Sequence, residues 1–230
     1  MSLAVRDTGL RELMDDPDCD PDRLAETLRR FDLVNRAVGG WGRVWRRGIR
    51  PRLQRLGRPA RVLDVGSGGG DVVARLAAWA ERDGLDVQWL GIDPDVRALE
   101  VARTRESERV SFASTDAAGL RASGERFDLV LSNHVLHHLN ADELAGFADD
   151  TRALSTGVVM HADIARGRLA YALYGIGITA LERGTFLRTD GLRSIRRSYR
   201  PGELEAALGA PWRVAAPAPF RLLAVADGRG

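Results

Sequence analysis

The run Leu63-Asp64-Val65-Gly66-Ser67-Gly68-Gly69-Gly70-Asp71 constrains this chain more than any other segment. It joins a short apolar stretch, Arg61–Val65, to an amphipathic one, Asp71–Arg82, and so reads as a strand turning directly into a helix. Glycine at 66, 68 and 70 permits a tight turn and lets a ligand approach the backbone with no Cβ in the way. A dinucleotide fingerprint beginning at Gly66 would need glycine at 71, where the chain has Asp71. Asp64, two residues before the first glycine, adds a carboxylate that would repel a pyrophosphate and could hold an ammonium group.

Beyond this turn the chain alternates. Strands are expected at Val87–Ile92, Val110–Ala113, Leu129–Ser132 and Val158–Ile164, with helices at Val96–Arg103 and Asp142–Leu154 between them. Such alternation predicts an α/β fold: a doubly wound, mostly parallel sheet covered on both faces, with its ligand beyond the carboxyl ends of the strands. Trp212–Val214 and Leu222–Ala226 are the final strand candidates. Residues 1–57 form an expected N-terminal helical cap, loose over 1–20 and helical from Asp22, broken at Gly39-Gly40 and interrupted by Pro51. Residues 58–230 form the main domain, with a helical insert over about 165–200. There a helix over Leu169–Leu181 is apolar nearly all round, an arginine-rich loop follows, and a helix runs near Pro201–Leu208.

With 230 residues, the chain can bury one substantial core. Its sequence pI of about 9.2 overstates its basicity, because the formal net charge is +2 and every one of the 34 basic residues is arginine. An acid-free arginine stripe, Arg43 to Arg61, reads as a solvated helix face, so nucleic acid is not an expected partner. Cys19 is the sole cysteine, and no apolar run is long enough to span a bilayer. A cytoplasmic enzyme with a small-molecule acceptor is expected. The oligomeric state is not legible.

Acids recur at three successive strand ends. Asp64 is the first; Asp93, in Gly91-Ile92-Asp93-Pro94, could accept hydrogen bonds from two ribose hydroxyls; Asp116, in Asp116-Ala117, could reach an adenine amino group. Each alone could be a helix N-cap. Together with Phe127-Asp128-Leu129-Val130-Leu131-Ser132-Asn133, these motifs resemble those of the class I S-adenosylmethionine-dependent methyltransferases over roughly Arg61–Ala226. The resemblance implies a Rossmann-like, seven-stranded sheet with the last strand antiparallel and S-adenosylmethionine as cofactor. It implies cofactor contacts from Asp64, Gly66, Ser67, Gly68, Asp93, Pro94, Asp116, Ala117 and Asn133.

Three of the four histidines lie in Asn133-His134-Val135-Leu136-His137-His138. His134, where the fourth strand ends, is the leading general-base candidate, with His137 and His161 in reserve. The ubiquinone-pathway O-methyltransferases resemble this segment but read Glu-x-x-Glu-His, with metal bound there. Here both carboxylates are replaced by histidine, and no metal is expected. A diffuse resemblance to small methyltransferases found with bacterial type III polyketide synthases implies a phenolic or quinone-like acceptor. The expected reaction is O-methylation. Carbon methylation in quinone synthesis, RNA methylation and non-catalytic cofactor binding are the alternatives.

Overall fold

A computed structural model describes residues 3–230. Seven strands form one sheet: β1 Ala60–Val65, β2 Val87–Ile92, β3 Val110–Ala113, β4 Phe127–Asn133, β5 Ser155–Ile164, β6 Arg213–Ala215 and β7 Arg221–Asp227. Their order is β3-β2-β1-β4-β5-β7-β6. The first five pair in parallel, and β7 runs antiparallel between β5 and β6. This is the expected Rossmann-like α/β sheet. The order reverses between β1 and β4, and a crevice opens there at the strands' carboxyl ends.

Both sheet faces are buried because neighbouring residues on each strand point oppositely. Val62, Leu129 and Leu131 enter one apolar cluster, while Leu63, Val65 and Val130 enter the other. Helix α4, Asp71–Arg82, covers the first face with Val72, Val73, Leu76 and Ala80, which recur at helical spacing. Helix α7, Ala141–Leu154, covers the second face. Asn140 caps it, and Glu143 returns the bond to the Asn140 backbone, completing a capping box. Helices α5, Val96–Ala102, and α6, Ala117–Ala122, are capped by Asp95 and Asp116.

The N-terminal region differs from its expected organisation. Helix α1, Pro21–Val38, packs against α5 through Leu24 and Leu28 and overhangs the crevice. After Gly39-Gly40, α2 (Trp41–Val44) runs through a five-residue π-helical stretch, Trp45–Ile49, into α3 (Arg50–Leu56). Trp41, Trp45, Ile49 and Leu53 are part of the sheet's own core, so of the two helical segments only α1 covers the crevice. Pro51 follows directly on the π-helical stretch, and the helix continues through it to Leu56 where an interruption was expected.

Residues 3–19, expected to be loose, are a strap pinned by polar contacts. Arg166 donates to the Leu3 and Ala4 carbonyls, Asp190 accepts from the Leu13 and Met14 amides, and Arg97 donates to the Asp16 and Pro17 carbonyls. Helix α8, Arg168–Gly177, falls within the expected insert, while the expected arginine-rich loop is largely helical as α9, Leu187–Arg197. Helix α10 spans Pro201–Leu208.

Candidate active site

A cavity of about 430 Å³ lies in the crevice, within the usual range for small-molecule sites of ~300–1,000 Å³. Its floor is the glycine turn. Gly66 has φ +71°, and a Cβ there would come within 2.5 Å of the Val135 side chain, so only glycine lets the turn pass beneath the segment after β4. Asp64 is buried at the end of β1, with its Oδ1 unpartnered. Burial, then the charges of Asp71 and Asp93, push its pKa up to about 8. An ammonium group is the complement such a site lacks.

Asp93 lies at the end of β2 and lines the same cavity with Pro94. Its Oδ2 accepts from the Gly68 amide at 2.9 Å and its Oδ1 from the Asp95 amide at 2.9 Å, which ties the acid to the glycine turn. Each oxygen keeps a further lone pair for a hydroxyl donor. Ser67 and Asn133 also line the cavity. The chain's residues therefore fit an amino-acid head at Asp64 and a ribose at Asp93. Asp116 is brought elsewhere: it is exposed, caps α6 through a 2.8 Å bond from the Gly119 amide, and lies outside the cavity lining with the buried Ala117.

The four histidines separate sharply. His161 is buried, bonded through Nδ1 to Ser132 Oγ at 2.8 Å and through Nε2 to Thr151 Oγ1 at 3.1 Å, and stacked on Trp212. It lies outside the cavity lining, and burial lowers its pKa to about 3. Its geometry is that of a satisfied core histidine. His134 does line the cavity, in a left-handed backbone conformation with φ 62°. However, its Nε2 accepts from the Arg221 guanidinium at 2.7 Å, and burial and that cation hold its pKa well below the ordinary value. The ring is neutral, but its lone pair is engaged. This departs from the expectation of a free base.

His137 lies in a buried chain of ionisable groups. It lies in the short turn after β4, buried at 1% exposure, with one edge in the cavity. Its Nδ1–H donates to Asp163 Oδ1 at 2.7 Å, and its backbone amide donates to Asp163 Oδ2 at 3.0 Å. The opposite nitrogen, Nε2, faces Glu12 Oε1 at 3.2 Å. Burial disfavours the charged ring, but Asp163 and Glu12 outweigh it and raise its pKa to about 9. Asp163 is correspondingly depressed, with His137 overcoming its burial. Arg6 and Arg197 hold the turn from outside by donating to the His137 carbonyl.

Glu12, Asp163 and Arg221 escaped the sequence reading. Asp163 continues the pattern of acids at strand ends and could have been found that way. Glu12 arrives on a strap over a hundred residues from its partner, with no local signal. Ligand atoms of Glu12, His137 and His138 lie within 4.8 Å of one another, as do those of His134, His137 and Asp163. Both sets share His137, whose nitrogens already face carboxylates, so an ion there would have to displace a proton from a ring held charged.

Comparison with known proteins agrees with this geometry. Residues 62–157 match the family described as methyltransferase domain. A ubiquinone biosynthesis O-methyltransferase of Brucella anthropi is 32% identical over 154 residues, covering 64% of this chain and 57% of the relative. The Mesorhizobium japonicum protein of the same name is 32% identical over 165 residues, covering 69% and 61%. The match thus spans less than two thirds of these relatives' length. Among solved structures, human N-acetylserotonin methyltransferase in complex with SAM superposes with a TM-score of 0.64 at 11% identity, covering 92% of this chain and 57% of that one. A plantazolicin methyltransferase in complex with SAH gives 0.61 at 13% identity, covering 91% and 95%. At such identities these structures establish the fold.

Proposed function

We propose that this chain, a class I S-adenosylmethionine-dependent methyltransferase by its fold and central domain, transfers a methyl group to the hydroxyl of a small, largely apolar phenolic acceptor. The observation that carries the reading is the meeting of Asp64, Asp93 and the Asp163–His137 pair around one cavity. The sulfonium cofactor supplies an electrophilic methyl group. Asp64 binds its ammonium and Asp93 its ribose hydroxyls, while the glycine turn admits the chain between them. Tyr174, Leu187 and Ile164 give the remaining wall its apolar character.

The acceptor hydroxyl docks against His137 Nε2, where Glu12 now lies. As it arrives, the Nε2 proton passes to Glu12, which withdraws from the ring as a neutral carboxylic acid. The neutral ring then takes the phenol's proton as the oxygen attacks. Asp163 keeps Nδ1–H in place and stabilises the imidazolium so formed. Catalysis otherwise rests on alignment and on exclusion of water beneath α1 and the strap. Support for oxygen as the nucleophile comes from this imidazole–carboxylate pair and from the O-methyltransferase names of the Brucella and Mesorhizobium relatives. The test is methyl transfer from labelled cofactor to a long-chain alkylphenol.

A further inference from the structure

A second cavity, of about 380 Å³, lies at the C-terminal turn of α1. The end of α1, the start of α2, helix α4 and the β6–β7 loop at Pro217–Pro219 wall it. Gly40 turns the chain between α1 and α2 at φ 70°, and a Cβ there would meet Ala218 Cβ at 3.0 Å. Glycine thus lets that loop pack against the start of α2. Asn35 is the residue this cavity shares with the crevice. It is held by its own donation to Asp71 Oδ2 at 3.0 Å and by a 3.5 Å bond from Asn133 Nδ2.

The two cavities are opposite in charge. Seven acids line the crevice against one arginine, Arg97. The second cavity is lined by Arg36, Arg43 and Arg75, and by no acid among the described residues. Asp32 pairs with Arg36 and Arg75, and Asp71 also faces Arg75, so two of these cations are neutralised. Arg43 is exposed and has no ion pair among the described residues. The same is true of Arg46, whose Nη1 would lie 3.4 Å from a Cβ on the lining residue Gly42. The unpaired charge therefore sits at the exposed edge. Deeper in, Trp41 is 2% exposed and its Nε1–H has no acceptor; the Nε–H of Arg75 is likewise buried and unpartnered. Both groups can only donate, so what the site lacks is an acceptor.

We propose that this second cavity binds an organic carboxylate. The anion faces the donors of Trp41, Arg43 and Arg46, and an apolar body lies against Trp79 and the prolines of the β6–β7 loop. A single negative charge on an apolar frame suits this lining better than a bare phosphate, because only the exposed arginines keep unpaired charge and tryptophan and proline supply much of the wall. The acids of the crevice would turn the same anion away. The site goes beyond the acceptor reading above and does not depend on it.

Titration of the ¹⁵N-labelled full chain with naphthalene-2-carboxylate tests this, with S-adenosylhomocysteine present to fill the crevice. The probe is fully ionised at pH 7. The Trp41 indole N–H resonance should move downfield and saturate, and the affinity should fall as salt rises. Naphthalene-2-carboxamide keeps the ring without the charge and should bind at least about tenfold more weakly. A variant combining Arg43→Gln and Arg46→Gln should bind the carboxylate about tenfold more weakly than the wild type. It should hold S-adenosylhomocysteine as the wild type does, since neither arginine lines the crevice. An unmoved Trp41 resonance, a carboxamide as tight as the acid, or undiminished binding by the double variant overturns the proposal. Inorganic phosphate binding as tightly as the naphthalene acid would overturn the assignment of an organic ligand.

Discussion

Binding of S-adenosylhomocysteine should expel a proton from Asp64. The buried carboxyl has a pKa of about 8 in the free protein, so at pH 7 it is protonated by about ten to one. The ligand's ammonium keeps its proton in this range and requires a carboxylate opposite it. Binding at pH 7 should therefore release about nine tenths of a proton from Asp64, and about half at pH 8. Affinity should tighten about tenfold between pH 6 and pH 7 and level off above pH 8, because ionising the acid costs about 1.4 kcal/mol for each unit below its pKa. Calorimetry in phosphate and in Tris, whose ionisation enthalpies differ, reads the proton count from the change in apparent heat. Asp64→Asn should abolish the release and flatten the pH dependence. At pH 8 it should weaken binding by about ten- to a hundredfold through loss of a charge-assisted bond. Proton-free, pH-independent binding by the wild type would refute the placement of the ammonium at Asp64.

Other expectations follow from the histidine cluster and the cover. His137→Ala should lower turnover by about 10²–10⁴ with cofactor affinity nearly unchanged, while His134→Ala should cost less; equal losses would return His134 to consideration. Asp163→Asn should destabilise the fold by about 3 kcal/mol between about pH 4 and 6.5, measured by urea unfolding. Because the folded pKa of His137 is raised to about 9 and that of Asp163 is depressed, the pair's stabilisation is complete between the unfolded carboxylate's value near 4 and the unfolded imidazole's near 6.5, and fades as pH rises through 9. A wild-type–variant gap that widened as pH rose above that window would contradict that sign. Hydrogen exchange should slow in α1 and residues 8–16 when S-adenosylhomocysteine binds, and change little in Trp41–Leu53, which belongs to the sheet's core.

The scaffold was legible because local signals and global fold agree. Helix α4 and strand β2 lie where periodicity placed them, since the glycine turn and alternating apolar runs admit few other arrangements. Asp64 and Asp93 were readable because strand ends on one sheet edge converge by topology alone. Asp116 shows the limit: an acid after a strand is also an N-cap, and that is the bond it makes. His161 looked equivalent to His137 in sequence, yet the two were separated by partners on other elements, Thr151 for one and Asp163 for the other. Glu12 was invisible for the same reason. Its position depends on Asp190, Arg97 and Arg166 pinning a segment with no periodicity of its own.

Methyl transfer to oxygen can be read from the fate of a labelled methyl group. The enzyme is incubated with S-adenosylmethionine carrying a ¹³C-methyl group and an alkylphenol bearing a long hydrocarbon chain, and the product is analysed by carbon NMR. A single enriched resonance at the chemical shift of an aryl methyl ether is expected, lost in His137→Ala. An enriched methyl on a ring carbon, or cofactor binding with no transfer to any phenol offered, would contradict it.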